Sequence, residues 1–274
     1  MILSLFRMLA PFVLTVGVVV LVEAHLRRLA YALPPGLAVP GRRAVAVALL
    51  AMFLYAVQFA PLAVPAEEMV FDAERVGAVS LFLLPSLIGV FLIVWGLLAW
   101  AGFDGGWRGA LRELRLLARR PLAEIGYGFL WGVVGWGAVL ASSLALYSIL
   151  GEFGVEPGGP PDLVVMLAGQ SVAVRLAVSL CAGVFEEAFF RGFLQPRVGI
   201  VLSTALFVAA HAAYGSPPLL LGVTVLSLIY GFLARRRRTI LASITAHALF
   251  DGIQLLVVLP AALKAADLVA FSGG

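Results

Sequence analysis

The sequence predicts an all-α polytopic membrane protein: one transmembrane domain over residues 1–274, built as a bundle of about eight transmembrane helices with a further helix lying in the interface. Three observations carry this reading. The chain is 62% hydrophobic and only 12% charged, about half the charged share of a soluble domain. Its apolar runs approach the roughly 20 helical residues that cross a hydrocarbon core of about 30 Å. Its connecting loops alternate between basic and acidic, as successive loops on opposite membrane faces do.

Eight spans follow in order: 8–24, 44–64, 79–101, 125–150, 164–190, 199–214, 217–234 and 239–260. The first is a span rather than a cleaved signal ending at Ala24, because its basic residues follow the apolar run instead of preceding it. Arg27, Arg28, Arg42 and Arg43 follow span one. Arg108, Arg112, Arg115, Arg119 and Arg120 follow span three, Arg197 follows span five, and Arg235, Arg236, Arg237 and Arg238 follow span seven. Between them lie acidic loops with Glu67, Glu68, Asp72 and Glu74, then Glu152, Glu156 and Asp162. The positive-inside rule makes the basic loops cytoplasmic and puts both termini outside. The Arg-rich composition suggests a bacterial inner membrane.

Within residues 102–121, Trp107, Leu111, Leu114 and Ala118 recur at helical spacing between arginines, which predicts an amphipathic interfacial helix. The four-arginine run between two spans is a topology anchor and not a nucleic-acid patch. The single cysteine, Cys181, leaves no intrachain disulfide and no thiolate metal cluster, and sits in an apolar helix as a packing residue.

Ionisable residues inside spans are costly and by default functional. Span five holds Arg175, Glu186, Glu187 and Arg191; span six holds His211; span eight holds His247 and Asp251. His25 ends span one among arginines and reads as interfacial, and Arg175 near the outer end of span five reads as a snorkelling residue. Counting from the cytoplasmic ends at 1.5 Å per residue, His211 lies some 18 Å along its helix and His247 about 12 Å, overlapping Glu186 in depth. One polar cavity open to the cytoplasm accounts for that overlap. Glu187 and Arg191 are spaced i,i+4 and can form an ion pair. Glu186, turned about 100° away, is left to face the cavity as a general base. His247 and Asp251 are also i,i+4, so the carboxylate can orient the imidazole or help bind an anionic intermediate. Phe207 shares a face with His211 and can wall the site. Each feature alone has a plainer reading: a Glu–Arg pair as packing glue, an intramembrane histidine as an interhelical hydrogen-bond partner. Their combination at one depth favours a functional site.

Glu186-Glu187-Ala-Phe-Phe-Arg191 fits EExxxR, Phe207-Val-Ala-Ala-His211 fits FxxxH, and His247-Ala-Leu-Phe-Asp251 fits HxxxN or HxxxD. In this order on three apolar segments they resemble the CPBP family, the CAAX prenyl endopeptidases and bacteriocin-processing or self-immunity proteins also called the Abi family. The resemblance covers residues 163–259, the catalytic core. It implies a glutamate-dependent intramembrane endopeptidase, which with the cavity placed as above would cleave a membrane-associated peptide or protein at the cytoplasmic side. Glu186 would be the base, His211 would help activate the water, and His247 and Asp251 would stabilise the oxyanion. Glu187 and Arg191 would support them. Eukaryotic CAAX proteases carry Asn where this chain has Asp251; an ionised carboxylate cannot donate a hydrogen bond, so orienting His247 suits Asp251 better.

No cofactor is required by this reading. The competing chemistry is a zinc site made by Glu186, His211 and His247 with an open position for water. Two other classes stay open: a non-enzymatic immunity or scaffold protein, and a proton-coupled transporter, which the lack of an inverted repeat disfavours. The partners expected are membrane lipid and a membrane-associated substrate, with no nucleic acid. The substrate's identity is not encoded in the motifs.

Overall fold

The computed structural model describes residues 2–29, 31–63, 81–154, 162–212 and 216–264. The acidic residues Glu67, Glu68, Asp72, Glu74 and Glu156, expected in the loops opposite the arginines, lie outside them. Among the described residues every element is helical. The α-helices are α1 (Ile2–Arg28), α2 (Pro40–Phe53), α3 (Leu83–Trp100), α4 (Gly106–Glu113), α5 (Pro121–Glu152), α6 (Asp162–Ala168), α7 (Val172–Glu187), α8 (Gln195–Ala210), α9 (Pro217–Arg237) and α10 (Leu241–Ile253). Three wider π-helical turns extend them: Leu54–Phe59 after α2, Ala188–Leu194 after α7 and Gln254–Val258 after α10.

Among the described residues seven helical stretches are long and apolar enough to cross a membrane, and the protein is an integral membrane protein. The sequence counts eight because its fifth and sixth spans form one 39-residue stretch, Val172–Ala210. That stretch folds at Gly199, whose φ of +80° and ψ of 170° suit only glycine without strain. Beyond the fold the chain returns antiparallel. The rings of Phe190 and Phe207 lie 4.9 Å apart, and Ser203 Oγ donates to the Phe190 carbonyl at 2.8 Å. The returning limb, residues 200–210, is roughly 16 Å long, about half a hydrocarbon core. Span five also begins later than its apolar run suggests. Ser171 caps α7, its Oγ accepting from the Val174 amide at 3.3 Å, so α6 is a separate helix.

Helices α5 and α10 approach closely through small residues. A Cβ at Gly128 would stand 2.4 Å from Thr245 Cβ, so only glycine permits this crossing. A second layer is aromatic. Phe91, Phe189 and Phe193 pack edge-on and stacked at 5.1–5.8 Å and join α3 to the turns that follow α7.

The arginine-bearing ends gather at one end of the bundle. Buried Arg197 pairs with Glu113 and lies over the Phe193 ring at 4.2 Å. Glu113 also accepts from Tyr31 Oη and Trp100 Nε1, each at 3.0 Å. Burial pushes the Tyr31 hydroxyl above its usual range and keeps it a donor. Arg237 pairs with buried Glu124 at 2.8 and 3.0 Å, and Arg43 with Glu23. The interfacial helix expected over 102–121 is the short α4, with Trp107 exposed. The chain after it does not lie free in the interface. Leu114 is buried, and the Arg115 carbonyl accepts from the Ile240 amide and from Thr239 Oγ1, both at 3.0 Å. This loop closes the arginine end beneath α7.

Candidate functional site

Four stretches bring the site together: the end of α7, the returning limb of α8, α9 and α10. The π-helical turn after Glu187 fits one extra residue into the helix, a feature found mostly at functional sites. Residues 188–194 are all buried, Arg191 with a relative exposure of 1%. A guanidinium placed there needs a counter-charge. Glu187, fully buried, supplies it at 3.2 Å from the Arg191 terminal nitrogen. The guanidinium also lies over the Phe207 ring at 4.1 Å. Neither terminal nitrogen of Arg191 has a well-aligned hydrogen bond, so the ring and the nearby charge hold it.

The i,i+4 pairs read from the sequence are both present, but Glu187 does more than pair with Arg191. The same oxygen, Oε1, stands 2.9 Å from His247 Nδ1. On the other side of that ring, Asp251 Oδ2 stands 3.5 Å from Nε2. An imidazole facing a carboxylate at each nitrogen donates to both only with both nitrogens protonated. Tyr230, a site residue the sequence reading missed, stacks on His247 with centroids 5.3 Å apart. It had little sequence signal, being an uncharged ring in the middle of an apolar span.

His211 is not mid-helix as its depth count suggests. It is the residue that ends α8. Its Nδ1 lies 2.8 Å from the Phe207 carbonyl, which can only accept, so Nδ1 carries a proton there. Its Nε2 faces Glu186 Oε2 at 3.9 Å. The Phe207 ring packs on His211 at 4.5 Å, as their shared face predicts. Glu186 Oε2 is buried and has no hydrogen-bond partner. The two adjacent carboxylates are differently placed: Glu187 Oε1 meets Arg191 and His247, while Glu186 Oε2 faces the edge of His211.

Glu186, His211, Tyr230, His247 and Asp251 line one cavity of about 270 Å³. Its walls continue through Val178 and Ala182 on α7, Pro218 and Gly222 on α9, and Gln254 and Leu259 beyond α10. On every one of these helices the lining runs away from the arginine-bearing end. The sequence reading opens the cavity toward the arginine loops; the lining residues extend the other way along these helices. A depth count locates the histidines but cannot tell which way the helices splay, and the loop at 114–116 fills the arginine side.

Arg175 also departs from its expected role. Its Nη1 donates to the Leu255 carbonyl at 2.8 Å, inside the π-helical turn that loosens the backbone after α10. Among the described residues no group of three or more His, Cys, Asp or Glu is placed to hold a metal ion. Glu186, His211 and His247 are accordingly not placed together as a three-ligand zinc set.

Buried carboxylates and histidines converging inside a polytopic bundle define a membrane protein with an intramembrane polar site. The family model described as Type II CAAX prenyl endopeptidase Rce1-like matches residues 168–253, which hold all three motifs, and so bears out the resemblance to the CPBP family. The match supports a CAAX-type membrane protease in general terms. A Bacillus subtilis (strain 168) protein described as "Uncharacterized protein YpbD" is 27% identical over 119 residues, 40% of this chain. The chain spans 63% of that relative's length. No solved structure matches.

The unequal placement of the two glutamates has a measurable consequence for folding. Glu187→Ala leaves the Arg191 charge buried and unpaired and should cost about 3–5 kcal/mol. Glu186→Gln removes a buried carboxylate that has no guanidinium to neutralise and should be neutral or stabilising. Thermal unfolding of both variants in the same detergent checks this; an equal loss in both contradicts the assignment.

Proposed function

We propose that the protein is a glutamate-dependent intramembrane endopeptidase acting on a membrane-associated peptide or protein. The observation that carries the reading is the buried Glu186 carboxylate facing His211, on the wall of a cavity that also presents His247. Glu187 lies against Arg191, and Glu187 and Asp251 flank His247, which donates to both when doubly protonated. Glu187 and Asp251 answer those two cations, and Glu186 is the carboxylate left to act as base.

In this mechanism Glu186 takes a proton from water while the water oxygen attacks the scissile carbonyl carbon. His211 fixes the water's orientation. The oxyanion is met by the His247 Nε2 proton, which Asp251 holds only loosely at 3.5 Å. The C–N bond then breaks as the Glu186 carboxyl returns the proton to the leaving nitrogen. Asp251 orients His247 and is not itself the oxyanion donor. No metal is required, since the chain supplies base, orienting group and oxyanion donor.

We also propose that substrate enters from the arginine-poor end. Under the positive-inside rule that end faces away from the cytoplasm, opposite to the side expected from the depth count. The direction of the cavity lining supports this.

Two experiments test these readings. Proteomics comparing wild type with Glu186→Gln should show precursors accumulating in the variant. Cleavage of such a precursor by purified protein should fall at least about 10²-fold in Glu186→Gln and persist in a strong chelator. Retained cleavage in the variant rejects the base, and loss with the chelator rejects the metal-free mechanism. For sidedness, Leu219→Cys or Arg236→Cys is placed in a Cys181→Ser background and treated with a membrane-impermeant maleimide. In intact cells position 219 should label and position 236 should not. The reverse pattern overturns the proposed entry side.

A further inference from the structure

Glu186 and His211 line a second, smaller cavity on the face away from the substrate chamber. It measures about 30 Å³, room for one or two waters and too little for a substrate group. Its walls are apolar and aromatic apart from three residues: Glu186, His211 and Gln58. Gln58 lies on the π-helical turn after α2, far outside the segment that carries the motifs, and is buried with a relative exposure of 4%. It is the one side-chain amide in an otherwise apolar span. Its Nε2 donates to the Leu206 carbonyl at 2.6 Å. The neighbouring Phe207 carbonyl receives His211 Nδ1, so Gln58 is tied to the turn of helix that sets the His211 ring.

We propose that this cavity is the site of the attacking water and that Gln58 is the positioning residue that holds it against Glu186. A buried water needs two to four polar partners. The Glu186 carboxylate, the His211 ring edge and the remaining amide valences of Gln58 provide them, and among the described residues no other polar side chain lines the space. Because Glu186 and His211 line both cavities, a water held between them reaches a carbonyl in the chamber without bulk water crossing the apolar substrate path. The proton balance is that of the hydrolysis above. The inference rests on that reading for its catalytic use, but not for the water site itself.

The test has two arms. X-ray hydroxyl-radical footprinting of the whole protein in detergent labels side chains beside bound water. Wild type should be labelled at Phe190, which lines this cavity and not the chamber, and not at Phe91, which is buried and lines neither. Gln58→Met, similar in volume but apolar, should lose that label several-fold. An unlabelled wild-type cavity overturns the proposal even if the variant fails to fold, and an unchanged label in folded Gln58→Met overturns the role of Gln58. In the second arm, cleavage of a precursor trapped by Glu186→Gln is measured in Gln58→Met and Gln58→Asn. The expected result is kcat at least tenfold lower in Gln58→Met with KM within twofold, and partial recovery in Gln58→Asn. Label lost with kcat unchanged overturns the catalytic use while leaving the hydrolase reading intact. Absence of any cleavage by wild type rejects the hydrolase reading and leaves the footprint to decide the water site.

Discussion

The site depends on one buried charge. Arg191 lies in an aromatic part of the core, and a guanidinium there is tolerable only with its counter-charge in place. That requirement fixes Glu187, which cannot turn to other work without stranding Arg191. Glu187 in turn holds His247 at Nδ1, and His247 presents its other nitrogen to the chamber, where Asp251 steadies it. The chain of dependence runs from α7 to α10 and ends at the cavity wall. Glu186 stands outside it. Two neighbouring acids thereby acquire different roles through the order in which the buried charges must be satisfied.

The second constraint is the arginine end of the bundle. Glu113 gathers Arg197, Tyr31 and Trp100, and Glu124 holds Arg237. The loop after α4 inserts between these pairs and the buried turn after α7. A Cβ at Gly192 would stand 2.5 Å from the Leu114 carbonyl, which shows how tightly that loop is seated. With this end filled, the helices part on the other side, and the chamber follows the first turns of α9 and the far end of α10. The direction in which the cavity extends is therefore tied to how the loops pack, and the motifs alone carry no record of it.

The sequence disclosed the fold class through composition and loop charge, and it disclosed the local pairs. Glu187–Arg191 and His247–Asp251 follow from helical spacing, and Phe207 beside His211 does too. The Glu187–His247 contact joins residues sixty positions apart and has no periodicity to betray it. The π-helical turns are equally silent, since an inserted residue leaves hydrophobic spacing almost unchanged. Gly199 was visible only as a boundary, not as a fold that shortens the sixth span. Gln58 did leave a trace, as a lone amide in an apolar span, but uncharged polar residues in membranes are common interhelical partners and do not stand out.

The central claim is that Glu187 is spent on structure, so that His247 donates from both nitrogens and Glu186 remains to act. The chain has three histidines, few enough for each to be assigned in a ¹⁵N-histidine solid-state NMR spectrum of the protein in lipid bilayers, using single substitutions. At neutral pH the account predicts His247 with both ring nitrogens protonated and coupled to carboxylates, and His211 protonated at Nδ1. A His247 with one bare nitrogen, above all one whose signal moves when zinc is added, would contradict it.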